Sequence, residues 1–136
     1  MKIYVFGNLW LKEDSLPLKL LPDLKKLFPK IEFIVCDPNE NFPPYGEKDL
    51  IILDTVKGIK KPMILDFSNL ESIKSTPISP HDYDLMFHLQ LLIKLKKINR
   101  VKIIGIPNVI STLLLKNEQR KTYMDQMRGL IFRLHQ

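Results

Sequence analysis

Four side chains are of the right types for a small site of carboxylates and one imidazole: Glu13, Asp14, Asp54 and His81. Asp54 closes a nearly all-apolar run, Leu50-Ile51-Ile52-Leu53-Asp54-Thr55-Val56. Such a run predicts a strand buried on both faces of a parallel sheet. A carboxylate at its end costs free energy unless water, a partner or a metal meets it. In open α/β sheets, ligands bind beyond the carboxyl ends of the strands. Asp14, preceded by Glu13, falls in a loop after a predicted first strand. His81 falls in the first turn of a predicted helix. A helix N-terminus disfavours imidazolium, so the ring stays neutral and able to coordinate. Two carboxylates and an imidazole suit a borderline divalent ion such as zinc or nickel. Without a metal, the two carboxylates could serve as general acid and base.

Each position also has a structural reading. Asp54 can turn the chain and cap the next element, and Glu13 and Asp14 can favour a helix N-terminus electrostatically. His81 can be an ordinary first-turn residue, and His88, two turns on, reads as a partly buried helix residue. Asp37 and Asp66 also end predicted strands and dilute the signal from Asp54. Other chemistries fit poorly. Gly7-Asn8 is no glycine-rich phosphate loop, and no Gly-x-Ser-x-Gly elbow is present. Cys36 lies inside an apolar strand-like run, where a thiol is a poor nucleophile and is expected to be buried and inert.

The elements that must position these groups follow from periodicity. Strands are predicted over 2–6, 31–36, 50–56 and 101–106, with a short edge strand over 63–66. Ser15 marks the start of a helix over about 16–27, with Pro17 in its first turn. Leu16, Leu20, Leu24 and Leu27 share a face, and Pro22 introduces a kink or an early break. Residues 39–48 hold Pro43, Pro44 and Gly46 and predict a loop. Ser79-Pro80-His81-Asp82 is a helix start with an N-cap, a first-turn proline and a capping-box variant. That helix runs to about residue 97, with Leu85, Leu89, Leu92 and Leu95 as its core stripe. A final helix over about 118–135 turns Tyr123, Met127, Leu130 and Leu134 to the sheet. Strands alternating with helices predict an α/β protein: a three-layer α/β/α sandwich on a mostly parallel twisted sheet. Right-handed crossovers put the ends of the first and central strands on one side.

The chain of 136 residues predicts one domain, 1–136. Its hydrophobic fraction of 45% and charged fraction of 26% are those of an ordinary globular protein. The net charge of +6 is scattered along helices rather than gathered with aromatics, which argues against nucleic acid as a partner. A lone cysteine excludes an intramolecular disulfide. No run approaches the roughly 18 apolar residues of a membrane span, and no signal peptide is recognisable. The expectation is a cytoplasmic protein without a membrane partner.

Several stretches together resemble the hydrogenase maturation proteases, endopeptidases that trim the C-terminal extension from the large subunit of nickel–iron hydrogenases. The opening Lys2-Ile3-Tyr4-Val5-Phe6-Gly7-Asn8-Leu9-Trp10-Leu11-Lys12-Glu13-Asp14 is similar to their N-terminal signature of strand, Gly-Asn and acidic pair. The run from Leu50 to Val56 resembles their central strand, which ends on a metal-binding Asp. Gly58-Ile59-Lys60-Lys61-Pro62-Met63-Ile64 resembles the turn and short strand that follow. Ser79-Pro80-His81-Asp82-Tyr83-Asp84-Leu85 resembles their helix start, and Lys102-Ile103-Ile104-Gly105-Ile106-Pro107 their last strand. The order is kept over most of the chain. The resemblance implies that Asp14, Asp54 and His81 are metal-contacting catalytic residues, with Glu13 as a fourth candidate ligand. It implies a hydrogenase large-subunit precursor as partner, nickel carried by that precursor, and no tightly bound cofactor of the protein's own. Two departures stand out. Ser15-Leu16-Pro17 replaces the glycines that usually follow the acidic pair, and residues 37–48 leave little room for a second crossover helix. The missing glycine-rich turn keeps open a non-catalytic metal-dependent binding or chaperone module on the same fold, and the positive charge keeps open a small basic nucleic-acid-binding α/β protein.

Overall fold

A computed structural model describes residues 1–7, 15–37, 42–67, 85–107 and 117–135. Among these residues five strands, β1 (Lys2–Val5), β2 (Glu32–Val35), β3 (Asp49–Val56), β4 (Met63–Phe67) and β5 (Arg100–Pro107), form one sheet. Their order across it is β2-β1-β3-β5-β4. The first four in that order run parallel, and β4 closes the edge antiparallel to β5. Among the described residues three helices cover the sheet: α1 (Leu16–Leu27), α2 (Leu85–Lys94) and α3 (Asn117–His135). The expected α/β architecture is therefore present, with the short edge strand where it was predicted.

Side chains alternate across a strand, and register partners in a parallel pair share a face. Ile3, Val5, Leu53, Ile104 and Ile106 turn to one side and pack with α1 and α3. Tyr4, Phe6, Leu50, Ile52, Val56, Val101 and Ile103 turn to the other and pack with α2 and Phe42. The central strands β1, β3 and β5 are thus apolar on both faces, as a sheet covered on both sides requires. Burying each of the larger aliphatic side chains contributes about 1.5–3 kcal/mol.

In α1 the buried face is Leu16, Leu20, Leu21 and Leu24. Leu27, expected on the core stripe, is exposed at the last turn, where the chain swings away toward β2. Ser15 holds the N-cap position without a side-chain capping bond, because its backbone is already helical (φ −93°, ψ −15°). Capping geometry needs an extended residue there. The helix runs through Pro22 without a break. Pro22 lies on the exposed side, where water can serve the carbonyl that its missing N–H leaves. Arg120 ties α3 to α1, with Nε donating to Asp23 Oδ2 at 2.9 Å and a terminal nitrogen to the Lys19 carbonyl at 3.0 Å.

In α2, Leu85, Leu89 and Leu92 are buried as predicted, but Leu95 falls in the turn after the helix and is exposed. In α3, Met127 and Leu130 are buried and Tyr123 and Leu134 half-buried, with Met124 and Ile131 completing the face. The described part of the β2–β3 connection, residues 42–48, contains no helix. Phe42 covers β1 there. Its ring stands edge-on to Tyr4 (5.4 Å between centroids) and to Phe6 (5.0 Å), the geometry that aromatic quadrupoles favour.

Candidate functional site

The connections divide at one point. From β1 the chain crosses through α1 to β2 on one side, whereas from β3 it proceeds to β4 and β5 on the other. The crevice between the carboxyl ends of β1 and β3 is therefore the topological switch point, where open α/β sheets take their ligands. Gly7 and Ser15 also belong to this rim. Gly7 follows the end of β1, and α1 must begin here because its far end feeds β2 at the opposite rim.

Asp54 lies at this crevice. The last backbone bond between the two strands runs from the Phe6 amide to the Leu53 carbonyl at 2.9 Å. On its other side β3 continues beside β5 through Asp54↔Gly105 to Val56↔Pro107. Alternation along β3 assigns Asp54 to the α2 face, in line with Leu50, Ile52 and Val56. The carboxylate is 0% exposed, and Oδ1 accepts the Thr55 amide at 2.8 Å. That bond fixes its orientation at the strand end.

Gly105, in register beside Asp54 on the same face, was not singled out as a site position. A Cβ there would come within 3.0 Å of Val56 Cγ2 and 3.2 Å of Ile59 Cδ1. Those two side chains close over the strand beside the carboxylate, and a glycine is what lets them. The available signal was a lone glycine inside an otherwise apolar strand pattern, which marks a close approach.

The other strand-end carboxylates are different. Asp37 follows β2 at the sheet's edge and is exposed. Asp66 sits on antiparallel β4, toward the opposite rim, and Arg100 holds it in a two-pronged pair at 2.8 and 3.1 Å. The Arg100 hydrogen bonds pull the Asp66 carboxyl below its usual range, with burial opposing them and the charges of Arg100 and Lys102 adding to them. Its role is to join β4 to β5 at the surface.

His88 is a half-buried helix residue, as expected, and its Nε2 donates to the Phe42 carbonyl at 2.8 Å. It anchors the 42–48 loop to α2. Cys36 lies one residue beyond β2 and is half-buried rather than enclosed in a strand; its Sγ approaches the Ile34 carbonyl at 3.5 Å. The Tyr4 hydroxyl is buried and makes no hydrogen bond among the described residues. Burial raises its pKa first, and the charge of Glu47 adds to this although the geometry forms no bond between them.

Glu13, Asp14 and His81 lie outside the described residues, as do Ser79, Pro80 and Asp82. Among the described residues no three His, Cys, Asp or Glu side chains come together as a metal-holding group. No helix among them is long and apolar enough to cross a membrane.

No protein-family model matches the chain, and no curated protein matches it in sequence. Among solved structures, it is similar to the [NiFe] hydrogenase maturation protease HybD from Thermococcus kodakarensis. The likeness covers 100% of both chains with a TM-score of 0.59 at 20% sequence identity. The two share a fold end to end.

Proposed function

We propose that the protein is an endopeptidase that removes the C-terminal extension of a nickel–iron hydrogenase large-subunit precursor after nickel insertion, in the cytoplasm. The observation that carries this reading is Asp54, a fully buried carboxylate at the carboxyl end of the central strand and at the switch point. It stands on a fold that matches a maturation protease over its whole length. A carboxylate held there by the Thr55 amide is preoriented to meet a cation, and the low-dielectric surroundings strengthen that attraction.

In this reading nickel belongs to the substrate. Asp14, Asp54 and His81 contact the nickel already seated in the precursor, with Glu13 beside them, and the protein holds no cofactor of its own. Contact with the metal positions the C-terminal peptide bond. Metal catalysis then acts by polarising the scissile carbonyl or by activating water. Either way the C–N bond breaks by addition of one water: hydroxide joins the carbonyl carbon and a proton goes to the leaving amine. A precursor without nickel lacks the recognised group and stays uncleaved.

The test is intact-mass spectrometry of a precursor from the same organism, incubated with the protein with and without nickel installed. Loss of a C-terminal peptide in the nickel-loaded sample alone supports the proposal. No mass change in either, with both proteins folded, overturns it in favour of a binding module.

A further inference from the structure

The outer side of α2 is apolar where a solvated helix face would be polar. Phe87, Leu91 and Leu95 recur every fourth residue and are 62%, 43% and 55% exposed. Phe87 and Leu91 fall on one side of α2 at that spacing, and Leu95, whose amide bonds the Leu91 carbonyl at 2.9 Å, continues the stripe into the turn after the helix. Beside it, α2 and the 42–48 loop enclose a cleft of about 720 Å³, lined by Phe42, Pro44, Tyr45, His88, Leu92 and Lys97. Tyr45 projects fully from the loop at its mouth. The His88 bond to the Phe42 carbonyl holds the start of the loop against α2, and the Asn99 amide, in the connection between α2 and β5, bonds the Lys48 carbonyl at the loop's end (2.8 Å). The stripe and the cleft therefore form one continuous, preformed apolar surface.

Its rim is basic. Lys48 and Lys97 line the cleft and are exposed, and the exposed Lys94 and Lys96 flank Leu95 in the chain. The one carboxylate among the cleft's lining residues, Glu47, faces Lys2 at 3.5 Å. A second copy of the chain on a two-fold axis would bring these lysines against one another, which like-charge repulsion opposes. A membrane surface would meet a convex helix, whereas this surface is concave beside α2 and shaped for side chains.

We infer that this face docks a segment of the protein substrate whose apolar side chains recur at helical spacing and are flanked by carboxylates. The inference rests on the proposed peptidase reading and adds to it a recognition surface built from α2 and the 42–48 loop, separate from Asp54. Helix-in-groove recognition works this way: apolar anchors fill the groove, and charge at the rim steers and selects.

The experiment measures binding and cleavage of the nickel-loaded precursor by the wild type, Leu91→Glu, Tyr45→Glu and Asp54→Asn. Leu91 and Tyr45 are exposed, so matching circular dichroism and melting curves are expected for their variants. The expected result is that Leu91→Glu and Tyr45→Glu raise the precursor's Kd about tenfold or more, raise KM, and leave kcat unchanged. Asp54→Asn should lose cleavage, and the binding it keeps should still fall when Leu91→Glu or Tyr45→Glu is added. Rising salt should weaken binding by the wild type more than by a Lys94→Gln/Lys97→Gln double variant. Unchanged binding and cleavage by both Leu91→Glu and Tyr45→Glu would overturn the docking surface and leave the peptidase reading intact. Absence of both binding and cleavage by the wild type would overturn the two together. Wild-type dimerisation in sedimentation, or capture by phosphatidylserine vesicles, lost in Leu91→Glu while precursor binding persists, would reassign the face and overturn the inference.

Discussion

Asp54 stands in register beside Gly105, and on the face they share Gly105 places no side chain next to the carboxylate. Val56 and Ile59 occupy that space instead, so close that a Cβ at position 105 would meet Val56 Cγ2 at 3.0 Å. The end of β3 is thereby packed tightly around the charged group that the proposed chemistry uses.

Gly105→Ala is expected to destabilise the protein by about 1–3 kcal/mol, the usual effect of overpacking a filled core. It should also lower precursor processing, because the strand end carrying Asp54 must shift. A double-mutant cycle with Val56→Ala checks the cause. If the contact with Val56 is responsible, the two changes together will destabilise less than the sum of the singles. Strict additivity in denaturant melts would mean that the strain arises elsewhere.

Asp54→Asn keeps an oxygen able to accept the Thr55 amide, whereas Asp54→Ala leaves that amide without this acceptor. The asparagine variant should therefore unfold near the wild-type denaturant midpoint, and the alanine variant should lose about 1–3 kcal/mol. Both should lose precursor processing, read by intact mass. Cleavage by a folded Asp54→Asn protein would remove Asp54 from the reaction.

His88 couples α2 to the proline-containing 42–48 loop, which the sequence also predicts as a loop. His88→Ala removes the donor to the Phe42 carbonyl and should destabilise by about 1–3 kcal/mol. Loosening should concentrate in the loop. The Glu47 amide, bonded to the Pro44 carbonyl at 3.2 Å, should exchange its hydrogen faster, while amides in the middle of α1 slow or speed only with global stability. Equal acceleration throughout the chain would show that His88 acts on the whole fold rather than on the loop.

Tyr4 gives a pH dependence of definite sign. Burial, then the charges of Glu47, Cys36 and Glu32, raise its folded-state pKa above the ordinary value of about 10. A raised folded pKa means that the neutral phenol is favoured in the fold. Its contribution is complete below the unfolded pKa and is lost as pH rises through the folded one. Tyr4→Phe cannot ionise, so it should keep its urea midpoint where the wild type begins to lose stability above about pH 10. Near neutrality the variant should be as stable as the wild type or more so, since the hydroxyl makes no hydrogen bond among the described residues. Parallel urea curves for the two proteins at both pH values test this.

Periodicity and punctuation alone determined most of the architecture. The continuous apolar run of β3 required cover on both faces, the leucines of α1 and α2 required a sheet to pack on, and Pro107 ended the last strand. These signals are legible because burial acts on every residue of an element at once, so the pattern repeats. A signal carried by a single end residue is weaker. Leu27 and Leu95 continue their stripes in sequence yet lie exposed, because the chain turns away before a partner surface reaches them. Ser15 precedes a helix without capping it, because its own backbone is already helical.

The same difference separates Asp54 from Asp37 and Asp66. In sequence all three end strands. Only tertiary structure decided between them, through the direction and position of each strand in the sheet. β4 runs antiparallel and delivers Asp66 to Arg100 at the far rim, and β2 leaves Asp37 exposed at an edge. β3, flanked by β1 and β5 at the point where the connections part, leaves Asp54 fully buried at the switch point. The order of strands across a sheet is set by contacts between residues far apart in the chain. No local pattern records those contacts, which is why the sequence determined the strands while the fold alone set where each of the three carboxylates lies.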